Sequence, residues 1–161
     1  MTFTSLVLKH DNLQSEWCRI MYECSYALLY IHSKGYLHND LKGDNVIIGD
    51  DNDTLHPVII DFGKSTTLSK GKLYKLSQRD QDKYRKYHKH IAIEVIRGIH
   101  PQSQESDLYA FGLLLSLLCK HKPNEALRKL AVWCIKGNPE KRPQTQQLAT
   151  ELKAQCQETN L

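Results

Sequence analysis

Cysteine patterns typical of metal sites or disulfide frameworks are absent from this sequence of 161 residues. Its five cysteines form no CxxC pair and no zinc-ligand spacing, and an odd number cannot all be paired within the chain. This composition indicates a reducing, intracellular compartment, and we expect a cytoplasmic location. The first residues contain neither the basic start nor the apolar core of a secretory signal, and no apolar run is long enough to span a membrane.

A strong charge of one sign is also missing. Lys and Arg total 22 against 18 Asp and Glu, and the net charge of +4 is too mild to indicate nucleic-acid binding, so we expect no nucleic-acid partner. Hydrophobic residues make up 40% of the chain, which at this length suits one compact domain.

Apolar residues recur at helical spacing in several parts of the chain. From Trp17 to Ile31 the intervals are three and four, which predicts an amphipathic helix that Ser15 can cap and Gly35 can end. Further helices are predicted near 92–97 and through LYAFGLLLSLLC, EALRKLAVWCI and RPQTQQLATELKAQ. In the last of these, Pro143 suits the first helical position.

Two β-rich runs, NVIIG and HPVIIDFG, flank the turn-rich DDNDT and predict a β-hairpin. Residues 64–91 are polar and basic without a periodic pattern, so no helix or strand is predicted there. This segment has two interpretations, a solvated disordered loop or a binding surface for an anionic partner.

Five short motifs follow one another along the chain. HNDLKGDN lies at 38–45, between the predicted helix and the hairpin, and DFG at 61–63 ends the second β-rich run. The later motifs are AIE at 92–94, SDLYAFG at 106–112 and NPEKRP at 138–143. In this order they resemble the catalytic loop, the metal-binding motif, the Ala-Pro-Glu motif, the Asp-x-x-x-x-Gly helix start and the late arginine of the eukaryotic protein kinase family.

The resemblance implies a mainly α fold similar to the C-terminal lobe of a protein kinase, with a small β-hairpin at the catalytic loop. It implies a partial protein kinase domain at residues 1–157, with the activation segment at 61–94, and a tail at 158–161. The cofactors that it implies are ATP and Mg²⁺.

By the same resemblance, Asp40 accepts the proton of the substrate hydroxyl and Lys42 contacts the transferred phosphate. Asn45 and Asp61 bind Mg²⁺, which prefers oxygen ligands, and Ile47 lies under the adenine. A lysine two residues after the aspartate resembles the serine/threonine version of this loop. The ordinary alternatives are that the aspartates are turn formers and that Ile47 is a core residue.

Other motif residues are implied to have structural roles. They are His38, Phe62, Gly63, Glu94, Asp107 and Arg142. His38 is expected to pack and form hydrogen bonds, and Asp107 to cap its helix and hold the backbone of the catalytic loop. Glu94 and Arg142 are expected to form a buried ion pair.

The sequence also departs from the family. No glycine-rich phosphate loop and no strand lysine precede Asp40, so we expect a truncated chain that lacks the ATP-covering lobe and is nearly inactive alone. Asn39 replaces the arginine that pairs with a phosphorylated activation segment, so that switch is not expected. Tyr87 stands where serine/threonine kinases have a threonine near the catalytic aspartate, and Ile93 replaces a proline.

Two functions remain in competition. The first is the C-terminal lobe of a serine/threonine-like kinase that transfers phosphate from ATP to a protein substrate. The second is a non-catalytic, kinase-like module that competes with a full-length kinase for its partners. The missing lobe, Asn39 and the short stretch between YAFG and AVWC, which lacks the usual extra helix, motivate the second. A small-molecule kinase of related fold is disfavoured by the later motifs.

Overall fold

The computed structural model describes residues 1–9, 16–52 and 54–158, which form seven α-helices and two small antiparallel sheets. The helices are α1 (Phe3–Lys9), α2 (Glu16–Ser33), α3 (Gln78–Tyr87), α4 (Ile93–Ile96), α5 (Gln104–His121), α6 (Glu125–Cys134) and α7 (Thr145–Glu158). The strands are β1 (Tyr36–Leu37), β2 (Val46–Asp51), β3 (Thr54–Ile59) and β4 (Thr66–Thr67). The predicted mainly α fold is confirmed.

One hydrophobic core joins the helices to the longer sheet. Helix α2 packs against α7 and β3, and α5 packs against α6. Trp17, Leu28, Phe111 and Leu115 are fully buried at its centre, and burying a side chain of this kind contributes roughly 1.5–3 kcal/mol. No helix in the described ranges is long and apolar enough to cross a membrane.

The predicted first helix and hairpin are both present. Helix α2 ends at Ser33, and Gly35 follows it with a φ of +81°, a left-handed conformation that suits glycine after a helix. The Ser15 cap lies outside the described residues. Strands β2 and β3 pair in register from Val46 opposite Ile59, so the predicted hairpin directly follows the HNDLKGDN motif.

Between 64 and 91, where the sequence predicts no element, the structure contains β4 and α3. Helix α3 begins after Ser77, whose hydroxyl accepts a hydrogen bond from the backbone N–H of Asp80, and it buries no residue. Its sequence therefore lacks the apolar period that would predict a helix. Strand β4 pairs with β1 over two residues only, which is too short for a sequence signal.

The predicted start of the last helix at Pro143 is wrong. Arg142 before it is extended, as a residue before proline prefers, and α7 begins two residues later at Thr145. The side-chain Oε1 of Gln147 accepts the backbone N–H of Gln144 at 2.8 Å. Gln144 therefore occupies the cap position, and Pro143 lies outside the helix.

Candidate active site

Asp107 holds the backbone of the HNDLKGDN loop. Its carboxylate accepts the backbone N–H groups of His38 and Asn39, each at 2.8 Å, and lies 3.0 Å from Nε2 of His32. Asp107 does not cap α5, contrary to the prediction. Ser103 and Ser106 form the capping box, because Asp107 lies a full turn inside the helix and faces the loop.

The carboxylate of Asp40 is the centre of the site. It is nearly fully buried and receives hydrogen bonds from four side chains. Oδ1 accepts from Lys64 Nζ at 2.8 Å and from His90 Nε2 at 2.9 Å. Oδ2 accepts from Lys42 Nζ at 3.2 Å and from Asn45 Nδ2 at 3.0 Å.

These contacts determine the protonation of the site. Burial raises the pKa of Asp40, but hydrogen bonds from Lys64 and Lys42 and the nearby positive charges outweigh it, so the pKa of Asp40 lies well below its usual range. Burial and the charges of Lys42 and Lys64 lower the pKa of His90, although Asp40 raises it. At neutral pH a neutral His90 therefore donates its Nε2–H to an ionised Asp40.

Asn45 and Asp61 are brought together by the sheet. The backbone N–H of Ile60, next to Asp61, donates to the backbone carbonyl of Asn45 at 2.9 Å. The amide Nδ2 of Asn45 contacts Asp40, which leaves its Oδ1 as the atom able to bind a cation. Asp61 is exposed, with a φ of +64°. A carboxylate with an amide oxygen fits Mg²⁺, so these residues suit the predicted metal.

His38 is buried between the loop and residues 60–62. Its Nε2 lies 3.0 Å from the Ile60 carbonyl, and its Nδ1 accepts the backbone N–H of Asp40 at 3.3 Å. The ring of Phe62 meets it edge-on with centroids 5.1 Å apart, while the backbone N–H of Gly63 donates to Asp61 Oδ1 at 3.2 Å. Both ring nitrogens of His38 thus have partners within the protein, which agrees with the structural role predicted for it.

Ile47 lies on the half-exposed face of β2, between the buried Val46 and Ile48. Ile47 is therefore not part of the hydrophobic core, and it pairs with Thr2 in an isolated β-bridge. Its predicted place under the adenine stays a prediction. The lysine side chains of the site, Lys42 and Lys64, are 36% and 53% exposed, so both can meet a phosphate from solvent.

Glu94 and Arg142 form the expected pair. Two guanidinium nitrogens of Arg142 donate to the two carboxylate oxygens of Glu94 at 2.6 and 3.0 Å. The Arg142 side chain is completely buried and also donates to the backbone carbonyls of Lys136 and Glu105. This pair ties α4 to the turn before α7.

The sequence analysis missed Lys64 and His90 as contacts of Asp40. It noted only that Tyr87 stands where serine/threonine kinases have a threonine near this aspartate. Tyr87 is 63% exposed at the end of α3, where its ring contacts Lys86. Because α3 ends at Tyr87, the chain turns there and brings His90 to Asp40. Lys64 directly follows the DFG motif. A basic residue at that position was the only sequence feature that could have indicated its place in the site.

Asn39 contacts the start of the basic segment 64–91. Its φ is +65°, a left-handed conformation that asparagine tolerates. Its amide Nδ2 donates to the Lys64 carbonyl at 3.1 Å and to the Thr66 hydroxyl at 3.0 Å. A neutral side chain thus contacts the start of the segment where the family has an arginine.

Comparison with known proteins agrees with these motifs. A family model described as "Protein kinase domain" matches residues 3–126. Maternal embryonic leucine zipper kinase is 30% identical in Xenopus laevis and 31% in Danio rerio, each over 119 residues that cover 73% of this chain and 17% and 16% of those proteins. The Raf homolog serine/threonine-protein kinase of Caenorhabditis elegans is 34% identical over 107 residues, covering 65% of this chain. The chain spans only 13–17% of these relatives.

Proposed function

Because the chain belongs to the eukaryotic protein kinase family, we propose that it provides the catalytic lobe for transfer of phosphate from ATP to serine or threonine side chains of an intracellular protein substrate. The observation that carries this proposal is the buried, ionised carboxylate of Asp40, held between Lys42 and Asn45 at 3.2 and 3.0 Å. Phosphoryl transfer depends mainly on positioning and on neutralised charge, and this arrangement supplies both.

In the proposed reaction Asp40 orients the substrate hydroxyl and accepts its proton. A carboxylate with a lowered pKa is a weak base, so positioning matters more here than basicity. Lys42 neutralises charge on the transferred phosphate. Asn45 Oδ1 and the Asp61 carboxylate would hold Mg²⁺, which neutralises phosphate oxygens when bound.

The 161 residues contain no glycine-rich loop and no strand lysine to cover the phosphates. Losing one preorganised donor typically costs about 10²–10³ in rate, so we expect this chain by itself to turn over slowly. Nucleotide binding is therefore a better test than activity.

Titration of the purified chain with a fluorescent ATP analogue and Mg²⁺ tests the proposal. We expect saturable binding that Asp61→Ala abolishes and that Asp51→Ala, in an exposed part of β2, leaves unchanged. Absence of Mg²⁺-dependent binding would contradict the proposal and favour the non-catalytic module that competes with a full-length kinase for partners.

A further inference from the structure

Positive charge is concentrated in one segment of the chain. Residues 64–91 contain nine of the 22 Lys and Arg but only two of the 18 Asp and Glu, so this segment carries a formal charge of +7 and the rest of the chain carries −3. Most of these basic side chains are exposed. The mild net charge of the whole chain therefore conceals a strongly basic surface, which attracts acidic partners.

A groove with an apolar floor lies in this basic surface. It is a cavity of about 330 Å³ between the end of α3, residues 88–93 and helices α4 and α5. The floor consists of Ile91, Ile93, Ile96, Tyr109 and Leu113, and the rim consists of Arg85 and Lys89. We call this the basic-rimmed groove.

The rim charges of the basic-rimmed groove are not neutralised within the parts of the chain that the structure describes. Arg85 and Lys89 are exposed and form no ion pair there, and no acidic residue lines the cavity. Carboxylates of a ligand can therefore pair with Arg85 and Lys89 without first breaking an ion pair within the protein.

The groove lies one residue along the chain from a contact of Asp40. Ile91, on its floor, directly follows His90, whose Nε2 lies 2.9 Å from Asp40. An extended peptide advances about 3.3 Å per residue, so a segment seated in the groove brings a hydroxyl only a few residues away to Asp40.

We propose that the basic-rimmed groove binds an acidic peptide segment of the protein substrate, with one aliphatic or aromatic side chain on the floor and carboxylates at Arg85 and Lys89. The identification of the bound segment as a substrate rests on the proposed function. The binding of an acidic peptide to the groove does not depend on that function. The floor is mainly aliphatic, while single-stranded nucleic acids are bound by rows of stacking aromatic rings. The chemistry of the groove therefore favours an acidic peptide.

Fluorescence anisotropy in 150 mM salt, without nucleotide, tests this proposal. The probe is a labelled 12-residue peptide of Asp and Glu with one central Leu. The variant Arg85→Glu/Lys89→Glu reverses the charge of the rim. Its matched control, Lys83→Glu/Lys86→Glu, makes the same change of net charge at exposed positions nearby that do not line the groove. Circular dichroism confirms that both variants fold.

We expect the rim variant to raise the Kd at least about tenfold. We expect the control to raise it less than about threefold, because Lys83 and Lys86 do not line the groove and salt weakens the attraction of charges that do not contact the peptide. Replacing the peptide's Leu by Ser should also weaken binding. Equal effects of the two variants, or no effect of the Leu replacement, would overturn the proposal.

Two further arms address the other occupants. Tighter binding of a single-stranded oligonucleotide of the same charge, or a concentration-dependent dimer that the rim variant abolishes, would also overturn the peptide proposal. A different result would contradict the proposed kinase function. In that case the chain would bind the peptide but would show no Mg²⁺-dependent binding of nucleotide. Nucleotide binding without peptide binding would reject the groove proposal alone.

Discussion

The Asp40 carboxylate already accepts as many hydrogen bonds as its two oxygens allow. A carboxylate offers about four lone-pair positions, and Lys42, Asn45, Lys64 and His90 contact it. In the proposed reaction a substrate hydroxyl therefore has to replace one of these donors. The side chain of Lys64 is 53% exposed, compared with 36% for Lys42 and 14% for His90. Lys64 is therefore the donor that can leave most easily.

The variant Lys64→Met should raise the pKa of Asp40. Lys64 contributes the first of the hydrogen bonds that lower this pKa, and the longer-range attraction of its charge is lost as well. The measurement is an NMR titration of the Asp40 carboxyl carbon. Lys70→Met, a change at an exposed lysine of the same segment, should leave the pKa where it was. An unchanged pKa in Lys64→Met would mean that the contact does not persist in solution.

The predicted family membership is confirmed. The candidate site residues could be proposed from the sequence only because they belong to an ordered set of motifs, and their catalytic roles stay a prediction. Lys64 and His90 belong to no motif, and they reach Asp40 through the path of the chain between 64 and 90. That path depends on α3 and the β1–β4 pairing. Helix α2 and the hairpin could be predicted because each has a periodic apolar face. Helix α3 and the β1–β4 pair have no such face.

At the scale of elements, the Glu94–Arg142 pair connects α4 with the turn before α7. Glu94→Gln leaves the buried guanidinium of Arg142 without its anion, which should lower the free energy of unfolding by roughly 3–5 kcal/mol. Urea unfolding followed by circular dichroism measures this loss. Glu125→Gln breaks an exposed pair with Arg128 on α6 and should cause no measurable change. Equal stability of Glu94→Gln and wild type would show that solvent reaches Arg142.

The end of α2 depends on a glycine. Gly35 has a φ of +81°, and a Cβ there would meet no atom within 4 Å, so Gly35→Ala changes the backbone energy without a steric clash. We expect a loss of about 1–2 kcal/mol in the free energy of unfolding. Gly137→Ala is the control, because that position also has free space but no positive φ. If both variants were equally stable, the left-handed turn after α2 would not be retained in solution.

At the scale of the whole molecule, the buried ionised Asp40 should contribute to stability in a pH-dependent way. Its pKa is lowered in the folded state, whereas an unfolded aspartate has a pKa of about 3.9. The stabilisation is therefore fully present above about pH 5 and decreases as the pH falls below the unfolded value towards the folded one.

Comparison of wild type with Asp40→Asn isolates this contribution, because the other acidic groups titrate in both proteins. We expect the difference in the free energy of unfolding to shrink steadily below pH 4, where the unfolded aspartate becomes protonated. Between pH 5 and 7 the titration of His90 also contributes to the difference, because the charge of Asp40 raises the pKa of His90 in wild type only. Urea unfolding at several pH values provides the measurement, with Asp51→Asn as an exposed control whose difference from wild type stays near zero. A gap between wild type and Asp40→Asn that does not change below pH 4 would mean that Asp40 has a normal pKa when folded. The cations around Asp40 would then not lower its pKa, and the electrostatic balance inferred for the site would be wrong.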